Sequence, residues 1–348
     1  MRLNRLVIAL IVLGVVAVLV IAWFVAPSSR GTVSQTYVQG PYVSSDVPQY
    51  QHIFYIMMEN HSYDDIIGNP NAPQLNAYAH TYALATSYYG VTHPSEPNYV
   101  AAIGGSYYGI QDDAAYNSTA GGVSHTISAP SIVDQLEGAG LTWKTYQQAL
   151  PYAGFTGTAY PSSSNALYAS KHNPFLNFAH IQNNPTERQN IVPDTQLFTD
   201  LQSAHVPNFS FIAPDQCHDM HGTASCTDDD ALLQAGDAYV ASVVSAITAS
   251  TIWAKGNNAI VSTWDENDSS PFGTTGCCNA NPGGGHVATI VIANHGPRGV
   301  QDATPYNHYS LLKTIEDAFH LGCLQNTCDI ANVKPMTPLF VSSDTSNN

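Results

Sequence analysis

The stretch His52-Ile53-Phe54-Tyr55-Ile56-Met57-Met58-Glu59-Asn60-His61 decides how the rest of the chain is read. An unbroken apolar run, Ile53 to Met58, turns abruptly into carboxylate, amide and imidazole. A run without polar alternation predicts a strand buried on both faces. The pattern recurs. Ala259-Ile260-Val261-Ser262-Thr263-Trp264 leads into Asp265-Glu266-Asn267-Asp268. Asn208-Phe209-Ser210-Phe211-Ile212-Ala213-Pro214 leads into Asp215-Gln216-Cys217-His218-Asp219-Met220-His221. Leu141 to Tyr146 and Val287 to Ala293 read as further strands.

Between these runs the spacing predicts helices: residues 72–86, a start at Tyr99 to Ile103, Ser131 to Ala139, Ala231 to Ser250 and Tyr309 to Phe319. Ser131 is a cap and Gly140 a stop for the third of them. Residues 150–190 read mostly as loop. Strands alternating with helices predict an α/β fold with a mostly parallel central sheet, helices on both faces and a single catalytic domain. Such sheets gather their sites at the carboxyl ends of the strands, where these polar groups stand. The domain is assigned to residues 51–335, behind a linker at 27–50 and ahead of a polar tail at 336–348.

Residues 1–26 read as a signal-anchor. Arg2 and Arg5 precede an uncharged run from Leu6 to Ala26, and about 20 apolar residues span a bilayer. The arginines predict a cytoplasmic N-terminus. Without a small-x-small cleavage site, an anchor is favoured over a cleaved signal peptide. Either reading makes the domain extracytoplasmic. The six cysteines agree, since an even count in an oxidising compartment points to disulfides. Cys217–Cys226 and Cys323–Cys328 are closable short loops, which leaves Cys277 and Cys278 as a vicinal pair or as free thiols.

With 10 Lys+Arg against 26 Asp+Glu and a formal net charge of −16, the chain has no basic stripe for nucleic acid. An acidic protein that handles an anionic phosphate needs bound cations to reverse the local field.

The chemistry-bearing residues fall into clusters. Glu59 and Asn60 offer a carboxylate and an amide oxygen for a hard divalent cation. In Thr92-His93-Pro94-Ser95-Glu96-Pro97-Asn98-Tyr99, two prolines fix a loop around Ser95. The helix that follows would aim free N–H groups at a phosphate. Serine is a weak nucleophile until a base or metal activates it. In the third cluster either Asp215 and Asp219 or His218 and His221 can supply ligands. Asp265, Glu266 and His286 complete the set, with His286 opening a strand after Gly283-Gly284-Gly285. Together these residues suit metal-assisted attack on phosphorus. His308, opening the last helix, reads as structural or rim.

Taken together, the chain resembles the bacterial phosphoesterases that include secreted acid phosphatases and phospholipase C-type enzymes, within the alkaline phosphatase superfamily. The resemblance rests on Met57 to Asp64, His93 to Tyr99, Lys171-His172-Asn173-Pro174-Phe175, Pro214 to Gly222, Thr263 to Glu266, Gly285-His286-Val287 and Asn307 to Phe319. It implies an alkaline-phosphatase-like fold. It also implies divalent metal held by Glu59, Asn60, Ser95, Asp265 and Glu266, with Ser95 as nucleophile. His93, His172, His218, His221 and His286 would line the phosphate pocket or complete the metal shell, and His286 or His218 would protonate the leaving alcohol. Asp215 and Asp219 join the candidate substrate-binding residues. The expected activity is hydrolysis of phosphate monoesters through a phosphoseryl intermediate, on a phosphorylated small molecule or a phospholipid. The alternatives are a phospholipase C-type phosphodiesterase and a non-catalytic envelope binding protein. Sulfatase chemistry is disfavoured, because the Cys/Ser-x-Pro-x-Arg segment is missing.

Overall fold

The computed structural model describes residues 45–268 and 273–341. The expected anchor at 1–26 lies outside the described residues. The described residues form one compact unit.

A nine-stranded sheet organises it. In chain order the strands are β1 (His52–Met58), β2 (Ala83–Tyr89), β3 (Trp143–Gln147), β4 (Ile191–Pro193), β5 (Phe209–Ala213), β6 (Asn258–Trp264), β7 (His286–Ala293), β8 (Val300–Asp302) and β9 (Tyr306–Asn307). They lie in the order β8-β2-β7-β6-β1-β5-β3-β4, with β9 also beside β2. Every pairing is parallel except the two made by β7, which runs against β6 and β2. The carboxyl ends of β1, β5 and β6 therefore share one edge of the sheet with the amino end of β7. Register makes the arrangement exact to the residue: Met58 lies opposite Trp264, and the Asp265 N–H donates to the Met58 carbonyl at 3.0 Å. Glu59 and Asp265 thus leave the sheet side by side.

Ile53 to Met58 are fully buried, as an unbroken apolar run on a central strand requires. The longer helices are α1 (Pro73–Thr81), α2 (Ser95–Gly104), α3 (Ile132–Gly138), α4 (Thr195–Ser203), α5 (Asp229–Thr248) and α6 (His308–Ala318). α2 packs on α6 and α1 on α5. Asp237 of α5 accepts the Gln74 and Leu75 N–H groups at 3.1 and 2.8 Å, so a carboxylate meets the positive end of α1. Ser131 caps α3 as expected, accepting the Val133 N–H at 3.2 Å. α5 has the length and composition to cross a bilayer, but Leu232, Leu233, Val240, Val243 and Ile247 pack in the core.

Several expectations need correction. The helix drawn over 72–86 ends at Thr81, and Ala83–Tyr89 is a strand. Pairing with β7 on one side and β8 on the other outweighs the helix propensity of Ala83-Leu84-Ala85. Residues 150–190 hold a hairpin, Ala159–Ser162 with Asn165–Ala169, that delivers the chain to Lys171 and His172. The folded body also exceeds 51–335 at both ends. Val47 and Tyr50 are buried, as are Met336, Leu339 and Phe340, and the Tyr50 hydroxyl donates to the Phe340 carbonyl at 2.9 Å. The cysteines form three bridges: Cys217–Cys226, Cys277–Cys278 and Cys323–Cys328.

Candidate active site

At the carboxyl edge of the sheet, Ser95 opens α2 between two carboxylates. Its hydroxyl lies 3.0 Å from Glu59 Oε2 and 3.3 Å from Glu266 Oε1. Glu59 extends from β1 and Glu266 from β6, so the sheet register fixes both around Ser95. His93 Nδ1 lies 2.5 Å from Glu266 Oε2, and its Nε2 meets the Gly273 carbonyl at 2.9 Å. Both ring nitrogens face acceptors, and the Glu266 bond raises the His93 pKa despite partial burial.

On the other flank His172 links two acids. Its Nε2 is 3.1 Å from Glu59 Oε1 and its Nδ1 is 3.2 Å from Asp219 Oδ2. Burial, helped by Lys171 and His221, holds His172 well below the ordinary imidazole range. Asp265 Oδ1 accepts the Asn60 N–H at 3.1 Å.

Glu59, Asp219, Asp265 and Glu266 are all buried. Burial pushes each above the ordinary carboxylate range. Repulsion from Glu59 pushes Asp219, Asp265 and Glu266 further, while Lys171 and His221 oppose the shift at Glu59. Asn60 Oδ1 and Asp265 Oδ2 are buried with no hydrogen-bond partner among the described residues. Buried acceptors cost free energy when unpaired, and crowded carboxylates repel one another unless a cation lies among them. Oxygen donors of this kind suit a hard divalent ion, so Glu59, Asn60, Asp265 and Glu266, with Ser95, fit a metal.

Not every expected residue joins the cluster. Asp215 and His218 bond each other at 2.8 Å; that bond raises the His218 pKa. His286 stacks on Tyr63, with ring centroids 4.4 Å apart. Its Nε2 meets the Thr86 carbonyl at 3.0 Å. Neither histidine bonds directly to the Ser95 group among the described residues. His221 enters through its backbone N–H, donated to Asp219 Oδ1 at 2.8 Å. One of the N–H groups at the start of α2 is taken: Glu96 N donates to Asp113 Oδ1 at 2.9 Å.

Sequence reasoning missed most of a supporting layer. Glu96, directly after Ser95, is fully buried and bonds His125 Nδ1 at 2.9 Å and Asn177 Nδ2 at 2.6 Å. Burial pushes its pKa up to about 7, against the lowering effect of those bonds. His308 is buried, and its Nε2 meets the Asp265 carbonyl at 2.6 Å while Tyr88 approaches Nδ1 at 3.1 Å. The sequence signals were His308, which reads as structural or rim, and a charged residue inside the Ser95 tetrad; nothing local marks His125 or Asn177.

A cavity of about 320 Å³ borders the site, lined by Asn60, His61, Asp65, Met220, His221, Asp229 and Asp268. Apart from the strand ends, Glu137, His180 and Glu187 bring ligand atoms within 4.8 Å of one another. His180 pairs with Glu137 at 3.0 Å there.

Residues 69–322, well over half the chain, match the Phosphoesterase family. The chain belongs to that family. Like other members, it is a phosphoric ester hydrolase. A probable acid phosphatase from Kluyveromyces lactis is 30% identical over 86% of this chain and 69% of its own length. A phosphatidylinositol-3-phosphatase from Mycobacterium tuberculosis is 30% identical over 97% of this chain and 96% of its own. Among solved structures, a protein of the alkaline phosphatase superfamily from Vibrio parahaemolyticus superposes with a TM-score of 0.51. It is 12% identical and covers 89% of this chain and 72% of its own. A phosphonate monoester hydrolase from Silicibacter pomeroyi gives a TM-score of 0.52 at 13% identity, covering 86% of this chain and 78% of its own. These likenesses give the fold, and the family match gives the chemistry its class. The match begins after Glu59 and Asn60, so those two positions rest on the structure.

Proposed function

We propose that this phosphoesterase hydrolyses phosphate monoesters outside the cytoplasm, with Ser95 as nucleophile and divalent metal at Glu59, Asn60, Asp265 and Glu266. The observation that carries this reading is the Ser95 hydroxyl, held at 3.0 and 3.3 Å from two buried carboxylates. The names of the Kluyveromyces and Mycobacterium relatives support monoester hydrolysis. Three disulfides accord with an oxidising compartment.

A divalent cation at this site supplies positive charge to stabilise the oxygens of the reacting phosphoryl group. The protein's own residues do the rest. The Ser95 proton passes to one of the two carboxylates its hydroxyl already faces, and Oγ attacks phosphorus. The bond from phosphorus to the alcohol oxygen breaks, leaving a phosphoseryl enzyme. His93, whose two ring nitrogens both face acceptors, supplies the proton to the departing alkoxide; this role moves from His286 and His218 because neither bonds to the cluster. Water then attacks phosphorus and gives a proton to the neutral His93, the bond from phosphorus to Ser95 Oγ breaks, and Ser95 takes back its proton from the carboxylate as inorganic phosphate leaves. The neighbouring cavity gives the alcohol part of the substrate room.

The test is turnover of p-nitrophenyl phosphate and bis-p-nitrophenyl phosphate, with and without chelator. Chelator-sensitive release from the monoester supports the proposal. Release from the diester alone replaces it with a phospholipase C-type phosphodiesterase. With metal resupplied, no release from either removes it in favour of a binding protein.

A further inference from the structure

We propose that Lys171 is the cation that receives the substrate phosphate beside Ser95, and that Asp113 positions it; the inference rests on the phosphomonoesterase reading above. The chain has few cations to spare, with 10 Lys+Arg against 26 Asp+Glu. Lys171 is brought to the site by its backbone. It shares a single helical turn, Ser170–His172, with the imidazole that spans Glu59 and Asp219.

Its ammonium is held in place on two sides. Nζ lies 3.1 Å from Asp113 Oδ2 and 3.3 Å from His221 Nε2. His221 Nδ1 faces the Gly222 carbonyl at 2.9 Å, so that nitrogen carries the hydrogen and Nε2 accepts from Lys171. An ammonium has three donors. Two are engaged in these bonds, and the third is the one offered to a ligand. The side chain is 17% exposed, which removes much of its competing water while leaving an approach.

Asp113 ties this cation to the nucleophile. Its second oxygen, Oδ1, accepts the N–H of Glu96 at 2.9 Å. One carboxylate therefore sets the distance between Lys171 and the start of α2. That same bond removes one donor from the substrate. A helix N-terminus ordinarily offers its free N–H groups to phosphate, but the Glu96 N–H is already occupied. The ammonium, a point charge suited to phosphate oxygens, takes the place of that N–H.

The simpler account is that Lys171 only offsets the buried acids. The two accounts separate in phosphate affinity. Binding of inorganic phosphate to the full chain, measured by titration calorimetry, is compared in wild type, Lys171→Met, Lys171→Arg and Asp113→Asn, alongside turnover of p-nitrophenyl phosphate. Lys171→Met is expected to weaken phosphate binding about 10-fold or more and to raise KM in parallel, as loss of a charge-assisted hydrogen bond does. Lys171→Arg is expected to restore most of the affinity, and Asp113→Asn to raise KM more than it lowers kcat. If folded Lys171→Met binds phosphate as tightly as wild type, or if wild type binds none, the proposal fails. Absence of wild-type turnover would count against the phosphomonoesterase reading alone, and the calorimetric comparison would still decide the role of Lys171.

Discussion

Ser95 and Glu59 meet at 3.0 Å, hydroxyl to carboxylate, across 36 positions of sequence and at the junction of a helix start with a central strand end. The contact joins the two halves of the site and exposes each to a direct test.

Replacing Ser95 with Ala removes the proposed nucleophile. We expect kcat/KM to fall on the order of 10⁴-fold, with the thermal unfolding midpoint kept within a few degrees. Retained turnover in a folded Ser95→Ala protein would move the nucleophile elsewhere.

Glu59 pits stability against function. Its carboxylate is buried among others and held above the ordinary carboxylate range by that burial. In metal-free protein Glu59→Gln is expected to raise the unfolding midpoint at pH 7, while activity with metal drops on the order of 10³-fold, a trade typical of functional sites. A lowered midpoint in the metal-free state would show that Glu59 is structural.

Metal should also be visible as stability. A ligand that binds only the folded state stabilises it by about 2.7 kcal/mol at 100 times its Kd. Adding divalent cation to chelated protein is expected to raise the melting temperature. Asp265→Asn should shrink that rise. An equal rise in wild type and Asp265→Asn would remove Asp265 from the ligand set.

Glu316 gives a pH prediction away from the site. It is fully buried on α6, and one of its oxygens, Oε2, has no hydrogen-bond partner among the described residues. Burial pushes its pKa well above the ordinary 4.5. The unfolded chain therefore loses this proton first as pH rises, so the contribution of Glu316 is present below about pH 4.5 and lost as pH climbs toward the folded value. Glu316→Gln should stabilise the protein at pH 7 and change little at pH 4. Urea titrations at the two pH values measure this, and equal shifts at both would contradict it.

The segment after residue 335 provides the fifth test. Phe340 is buried and its ring meets Tyr50 edge-on, with centroids 5.7 Å apart. Phe340→Ala is expected to cost about 3 kcal/mol or more. A change within about 0.5 kcal/mol, as at an ordinary surface position, would restore the loose tail inferred from sequence.

Much of the site was legible because strand ends announce themselves. Ile53 to Met58 and Ala259 to Trp264 could hardly be anything but buried strands, and Glu59 and Asp265 follow them immediately. His286 was legible in place but not in contact: it opens β7 at the correct edge, then turns to Tyr63 and Thr86. Ala83 to Thr86 was misread because Ala83-Leu84-Ala85 prefers helix and its pairing partners lie some 200 residues away, at β7 and β8.

The sequence by itself determined the strands, the acids at their ends, the shortage of cations and the serine set between prolines. These are local properties, fixed by hydrophobic pattern and by side-chain chemistry within a few residues. Only the tertiary structure decided which acids face Ser95, that Asp113 takes the Glu96 N–H, and that Lys171 stands between Asp113 and His221. Those choices depend on register across the sheet and on distances of a few ångströms between distant segments, which no local pattern encodes.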